Sequence, residues 1–381
     1  MPNLTDKEKF NARSLLVVQT AFLGDLLLGV PFFRHLRKIW PHHEVILLCR
    51  KNLGDFFLKT KLVDKVVEVV KGDTSSYSSA VSLLNENSIE YIFSPHESLR
   101  TAFLSLKIKA DHKVSFKKFW NSFIFDQRIL KPQGWPDPLR QMSLLFPLDK
   151  ELEVQVEQLA LQNNFYKKDQ NGKLSFIPEW CSLNLKSQLL ADDFSFQRLE
   201  NHLNLKWTSE SKWILLFPGS VWATKMWTEE GFVNVGRDLQ QKGYQVFIMG
   251  GPGEEELGKR IHRQIPNSLN LVGRTSVYES ALILARSLLM IGNDSASTHL
   301  ACCANTPTIS VFGPTILEFG FRPWSNHSYV VEKEGLLCRP CGPHGHRKCP
   351  LGTHECMRSI DSESVFKLAD LVVDGFKVSS R

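Results

Sequence analysis

Residues 15–33 read LLVVQTAFLGDLLLGVPFF, and two structures compete for them. One is an export or membrane segment. A spanning helix needs about 20 mostly apolar residues with few or no charges, and a signal peptide needs a basic start and an unbroken apolar core. Here Gln19, Thr20, Gly24 and Asp25 fall in the middle, and the preceding TDKEKFNARS carries both signs. The other structure is strand, tight loop and helix: SLLVVQ, TAFLG, then DLLLGVPFFRHLRKIW. An open α/β sheet begins this way, and ligands bind just outside its strand ends. The second reading is adopted. It places Asp25 facing a cleft, with a plain helix N-cap as the alternative use of that carboxylate. Pro31, several residues further on, predicts an irregular first part of the helix.

The same theme recurs along the chain. EVILLC and KVVEVV read as buried strands, SSAVSLLNENS as a helix, and IEYIFSP as the next strand. Alternating strands and helices argue for a parallel sheet. KPQGWPDP breaks the pattern, and residues 151–210 are polar and mainly helical. The theme restarts at KWILLFPGS. The helix TEEGFVNVGRDLQQKG follows, with an acidic start and Gly243 after its end, as helix caps and the helix dipole favour. YQVFIMGGPG, LLMIGND and PTISVFGPT supply further strands, and SESVFKLADLVVDGFK an amphipathic helix at the end. The expectation is an α/β protein of two similar halves facing a cleft: residues 1–200, residues 201–360, and a C-terminal helix in 361–381. Two domains also suit the 381 residues, since single cores stop growing at roughly 250–300.

Composition is that of an ordinary globular protein, 43% apolar and 23% charged, with a net charge of +6. The basic residues are spread out, which argues against nucleic acid and suits phosphorylated or anionic ligands. No other stretch is apolar enough to span a bilayer.

Three strand-end loops carry candidate chemistry in the second half. In FPGSVWATKMW, Gly219 permits a tight turn, Ser220 offers a hydroxyl and Lys225 a point charge. In IGNDSASTHLACCA, Asp294 or Ser295 caps a helix whose first N–H groups suit an anion, and His299 lies about a turn further on. A solvated loop and an ordinary N-cap are the competing readings. The third loop, GGPGEEELGKR, spells G-x-x-x-x-G-K but continues with Arg260 instead of Ser or Thr. It also places glutamates where a triphosphate would lie, so an NTPase loop is rejected. Glu254 is better suited to accept hydrogen bonds from ribose hydroxyls.

Together, TAFLGDLLLGVP, FPGSVWATKMWTEEGF, MGGPGEEE, GNDSASTHLACCANTPTISVFGPT and CRPCGPHGHRKCPLGTHECM resemble glycosyltransferase family 9, the lipopolysaccharide heptosyltransferases. The last motif is most like the heptosyltransferase II branch. The resemblance implies two Rossmann-like domains in the GT-B arrangement and an inverting transferase that needs neither metal nor cofactor. Its donor would be ADP-heptose and its acceptor a lipid A-linked core oligosaccharide. Asp25 falls at the family's catalytic aspartate and Lys225 at its diphosphate-binding lysine. Ser220 falls at the hydroxyl of the same loop, and Glu254 at the ribose-holding acid. Asp294, Ser295, Ala296 and His299 fall on the donor-site segment, where Ala296 replaces the more usual Gly. Two alternatives stay open: a transferase of the same fold using another nucleotide sugar, and a non-catalytic sugar-nucleotide or lipopolysaccharide-binding protein.

Two further expectations follow. Cys338, Cys341, Cys349 and Cys356, half of the eight cysteines, pose a choice between structural zinc and a loop of packed thiols. A lipid-anchored acceptor without a spanning segment predicts a cytoplasmic protein, peripheral at the inner leaflet of the inner membrane. Lys107, Lys109, Lys113, Lys117 and Lys118, interleaved with Phe116, Phe119 and Trp120, are the expected membrane patch. A solvated face is its alternative.

Overall fold

The opening stretch folds as strand, loop and helix. Ser14–Val18 is a fully buried strand, β1. The chain turns through residues 19–22 into the helix Leu23–Leu28, then re-forms at Gly29 as the helix Val30–Ile39 with Pro31 in its first turn. The break falls where proline's missing N–H and fixed φ demand it. Leu26, Leu27, Leu28, Phe32 and Phe33 are buried, so the apolar character of the stretch comes from facing a core. Among the described residues no helix is long and apolar enough to cross a membrane.

The computed structural model describes residues 13–162 and 164–379, in two units, Met1–Asn163 and Asn164–Arg381. In the first, β1 is joined by β2 (Glu44–Arg50), β3 (Lys65–Val69), β4 (Ile89–Ser94), β5 (His112–Phe116) and β6 (Gln127–Ile129). Their order is β3-β2-β1-β4-β5-β6, and every pairing is parallel. The second unit is built from β7 (Trp213–Phe217), β8 (Gln245–Ile248), β9 (Leu269–Asn270), β10 (Leu289–Asn293), β11 (Thr308–Phe312) and β12 (Ser328–Glu332). Their order is β12-β11-β10-β7-β8-β9, again all parallel. Counted from its first strand, each sheet follows one doubly wound scheme. The strand order reverses between β1 and β4 in one unit and between β7 and β10 in the other. Such reversals leave a crevice at the carboxyl ends of the strands.

The central strands are apolar on both faces because helices cover both sides. Leu16, Val18, Ile46, Leu48 and Ile92 form the core of the first unit, and Ile214, Leu216, Val246, Ile248, Ile291 and Ile309 that of the second. KVVEVV departs from the buried strand expected of it. β3 lies at a sheet edge, and of its residues only Val69 is fully buried.

The division falls at residue 163, not near 200. The polar stretch 151–210 was expected to hold the boundary near residue 200, yet its part from residue 164 on is fastened to the second sheet. Leu174 N–H donates to Ser328 O (3.0 Å) and Val330 N–H to Gly172 O (2.9 Å). Gly172 has φ +77°, and a Cβ there would stand 2.4 Å from Val330 O, so glycine is required. The buried Arg322 donates to Phe165 O and to Ser175 Oγ, Trp324 Nε1 to Cys181 O (2.6 Å), and Leu185 N–H to Cys303 O (2.7 Å). The C-terminal helix runs Ser362–Ser379 and contributes Val365, Ala369, Val372 and Val373 to the same core, so it is part of the second unit.

The expected membrane patch is changed by β5, whose last three residues, Val114, Ser115 and Phe116, are all buried. Phe116 is in the core. Lys113 Nζ donates to Ser105 O (2.8 Å), and Lys118 is held by Glu97 (2.8 Å). Lys107, Lys109, Lys117 and Phe119 remain exposed.

Candidate active site

In the first unit Asp25 follows β1 at the order reversal. It is the third residue of its helix, not the N-cap, and its Oδ2 accepts the Phe22 N–H (3.1 Å). Although partly exposed, its carboxyl is pushed up to about 6, first by burial and then by the negative charge of Asp137. Asp137 is itself buried and raised by burial. Gln141 ties the two together, its Nε2 donating to Asp25 O (2.8 Å) and to Asp137 Oδ2 (2.7 Å). Sequence reading missed Asp137 and Gln141, whose contact with Asp25 bridges a separation of more than a hundred residues.

A hydroxyl network lies at the ends of β1 and β4. His96 Nδ1 is 3.1 Å from Thr20 Oγ1 and 2.8 Å from Thr101 Oγ1. Burial, then the charge of Arg50, brings the imidazole down to about 4, which keeps it neutral at physiological pH. Arg50 Nε donates to Thr20 O (2.6 Å), and its guanidinium lies over the Phe22 ring. Lys131 reaches Glu97 from the end of β6. A neutral imidazole beside two threonine hydroxyls, with Arg50, Lys131 and Glu97 around it, suits a polyhydroxylated ligand.

The second unit gathers its candidates at the other order reversal. After β7 the chain makes a short turn, Ala223–Lys225. Lys225 Nζ donates to Asp294 Oδ2 at 2.5 Å, just past β10, and the same oxygen accepts from Thr315 Oγ1 (2.6 Å). Asn293 fixes the two loops: its Nδ2 donates to Pro218 O (2.8 Å), and its Oδ1 accepts the Trp227 N–H (2.8 Å). The helix Ala296–Cys303 starts at Ser295, whose hydroxyl bonds Ser297 Oγ (2.7 Å) instead of capping the helix. His299, 4% exposed, is brought down to about 4 by burial. Its Nδ1 has no hydrogen-bond partner among the described residues. An orphaned buried ring nitrogen is costly, and beside a Lys–Asp pair it marks a place for a polar ligand.

Ser220 and Glu254 line one cavity of about 510 Å³ with Gly219, Thr228, Arg260 and His354. The Glu254 carboxylate accepts the Gly251 N–H (2.9 Å), and burial raises its pKa. It lies so close to Gly219 that a Cβ there would be 2.1 Å from Oε1. The glycine therefore leaves room for the carboxylate's approach, while its φ lies outside the left-handed region, so the turn itself does not require it.

The cysteine-rich segment forms a wall of this site. Thr224 Oγ1 accepts the His346 N–H (2.7 Å) and donates to His346 O (2.8 Å). His354 Nε2 meets Thr224 O (2.9 Å), and Cys341 N–H donates to Pro314 O (2.8 Å). His344 stacks on Trp222, with rings 10° apart. Its pKa is lowered first by burial and then by the charge of Lys225. Cys338, Cys341, Cys349 and Cys356 are free thiols, and Cys349 Sγ accepts the His354 N–H (3.4 Å). Among the described residues no three His, Cys, Asp or Glu side chains are grouped to hold a metal ion. Asn293, Thr224 and Thr315 are polar residues here that the sequence reading missed.

Residues 80–353 match the family model "Glycosyltransferase family 9 (heptosyltransferase)". Lipopolysaccharide heptosyltransferase 3 of Escherichia coli is 23% identical over 322 residues, 80% of this chain and 85% of that protein. Among solved structures, E. coli ADP-heptose lps heptosyltransferase II superposes with a TM-score of 0.73 at 18% identity, covering 96% of this chain and 99% of that one. E. coli heptosyltransferase WaaC with ADP gives 0.68 at 15% identity, covering 94% and 99%.

Proposed function

Since the chain belongs to glycosyltransferase family 9, we propose that it transfers heptose from ADP-heptose to the lipopolysaccharide inner core, with inversion and without a metal ion. The orphaned His299 Nδ1 beside the Lys225–Asp294 pair carries the reading on the donor side. It is a polar site in want of a ligand, next to a cation suited to a diphosphate. ADP binding exchanges the Asp294 contact of Lys225 for phosphate oxygens, while Glu254 accepts the ribose hydroxyls and Ser220 adds a donor. Two related structures fit this assignment: E. coli heptosyltransferase WaaC with ADP and WaaC with ADP-2-deoxy-2-fluoro heptose.

The chemistry follows from charge. When the bond between C1 and the diphosphate oxygen breaks, negative charge grows on the leaving group. Lys225, Ser220 and the helix start at Ser295–Ala296 stabilise it. Asp25 takes the proton from the acceptor hydroxyl as that oxygen forms the new bond to C1. Its raised pKa makes it a better base than an ordinary carboxylate, and it is still ionised above about 6. One displacement on the face opposite the leaving group inverts the anomeric centre. The acceptor is lipid-anchored, so the enzyme works peripherally at the inner leaflet of the inner membrane.

The test is incubation with ADP-heptose and core acceptors of defined length, with product mass and anomeric configuration read by mass spectrometry and NMR. A heptosylated, inverted product formed equally well in EDTA is expected. Retention at C1, or a need for added magnesium, would sink the mechanism. Transfer only from a different nucleotide sugar would sink the donor assignment.

A further inference from the structure

The helix Leu99–Lys107 has one buried face and one exposed apolar stripe. The first buries Thr101, Ala102, Leu104 and Ser105. The second leaves Leu99, Phe103 and Leu106 exposed at 56%, 51% and 43%, at the i, i+4, i+7 spacing of one helical stripe. Beside it runs a groove of about 600 Å³ against the helix Thr74–Leu84, lined by Tyr77, Val81, Arg100, Phe103 and Lys107. Trp120, Ile124 and Phe125 pack on Ala102 of the same helix. That anchors the following loop beside the stripe, where Phe119 is 94% and Phe123 67% exposed.

Exposed apolar side chains on two adjoining segments form a patch that folding alone does not explain. Its charge indicates what covers it. Lys118 and Lys131 are held on Glu97. Arg100, Lys107, Lys109 and Lys117, by contrast, are exposed and have no carboxylate partner among the described residues. Asp73, on the far rim of the groove, is engaged in capping its own helix through Ser75 and Ser76. Free cations interleaved with Leu and Phe match the layered chemistry of an anionic bilayer surface. Apolar groups enter the acyl boundary, and long basic side chains reach back to the headgroups.

We propose that the face formed by the helix Leu99–Lys107 and the loop at 117–123 docks this protein on anionic lipid. The proposal rests on the lipid-anchored acceptor of the function proposed above, and it names the surface that meets the membrane. The experiment is flotation with vesicles of phosphatidylglycerol in phosphatidylcholine, and with phosphatidylcholine alone. One variant combines Phe103→Ser, Leu106→Ser and Phe119→Ser. A second combines Arg100→Gln, Lys107→Gln, Lys109→Gln and Lys117→Gln. Unchanged melting temperatures control for folding.

The native protein is expected to float with the anionic vesicles only, and less at high salt. Each variant should bind about tenfold or more weakly while transferring heptose normally to a short soluble acceptor. The proposal is overturned if the native protein does not float, or if either variant floats as the native protein does. A native protein that floats but transfers no heptose to any acceptor would refute the proposed function and leave this surface standing.

Discussion

A carboxylate at the third position of a helix caps the turn before it, and Asp25 does so through the Phe22 N–H. Its surroundings work against its charge: burial and Asp137 raise its pKa from 3.8 to about 6. A raised carboxylate costs the fold stability when both states are ionised, above about 6. The cost fades as pH falls toward the unfolded value near 4. Asp25→Asn keeps an oxygen for the Phe22 N–H and removes the charge. It should raise stability by about 1–2 kcal/mol at neutral pH, and the gain should shrink in acid. Transfer should fall roughly 10²–10⁴-fold. Chemical denaturation at two pH values, beside a rate assay, reads both effects. A variant that is destabilised and keeps its rate per folded molecule would return Asp25 to a mere cap. In the native enzyme, rate should decline below about 6 as the base is protonated. Asp137→Asn removes the like charge and should move this acid limb to lower pH. A limb that stays in place would mean that Asp137 is uncharged in the working enzyme.

At the scale of elements, what the sequence disclosed and what it hid differ by physical cause. Central strands such as WILLF and VILLC read plainly because both faces are buried. The edge strands QRI and LN were not legible, since short and partly exposed strands carry no apolar run. Loops anchored by glycine and a charged residue at strand ends marked Ser220, Lys225, Glu254 and Asp294. Their partners were hidden. Thr315 reaches Asp294, and His346 reaches Thr224 across 122 positions of sequence, so neither leaves a local pattern. The clasp on Thr224 makes the cysteine-rich segment a support for the Lys225 turn. Thr224→Val keeps the shape but removes the acceptor for the His346 N–H and the donor to His346 O. Leaving such a group unsatisfied costs about 1–3 kcal/mol. The turn should loosen and ADP bind roughly tenfold more weakly by calorimetry, with the acid limb set by Asp25 unmoved. Undiminished ADP affinity would show that the segment only covers the turn.

At the scale of the molecule, one strand scheme is used twice, and each copy presents its candidate residues where its strand order reverses. The division of labour proposed here, acceptor chemistry in the first unit and donor chemistry in the second, requires each unit to hold its own site in shape. The segment between 164 and 203 therefore matters more than its polar composition suggests. Arg322 is fully buried and depends on Phe165 O and Ser175. Arg286, also buried, depends on Leu189 O and Asp193 and stacks on Phe196. Tyr278 OH donates to Asp192 (2.6 Å). Removing the segment strips each guanidinium of most of its acceptors, leaving Arg286 with Leu282 O and Arg322 with Pro323 O, at about 1–3 kcal/mol for each lost group. It also strips the apolar cover supplied by Cys181, Leu183, Leu189 and Phe196. Together these losses approach the whole stability of a domain, about 5–15 kcal/mol. A protein starting at residue 164 should melt cooperatively and bind ADP like the full chain. One starting at residue 204 should be insoluble or melt without cooperativity. Circular dichroism melts of the two decide the matter. Equal melting temperatures would return the boundary to the neighbourhood of residue 200 and reduce the intervening segment to a connector.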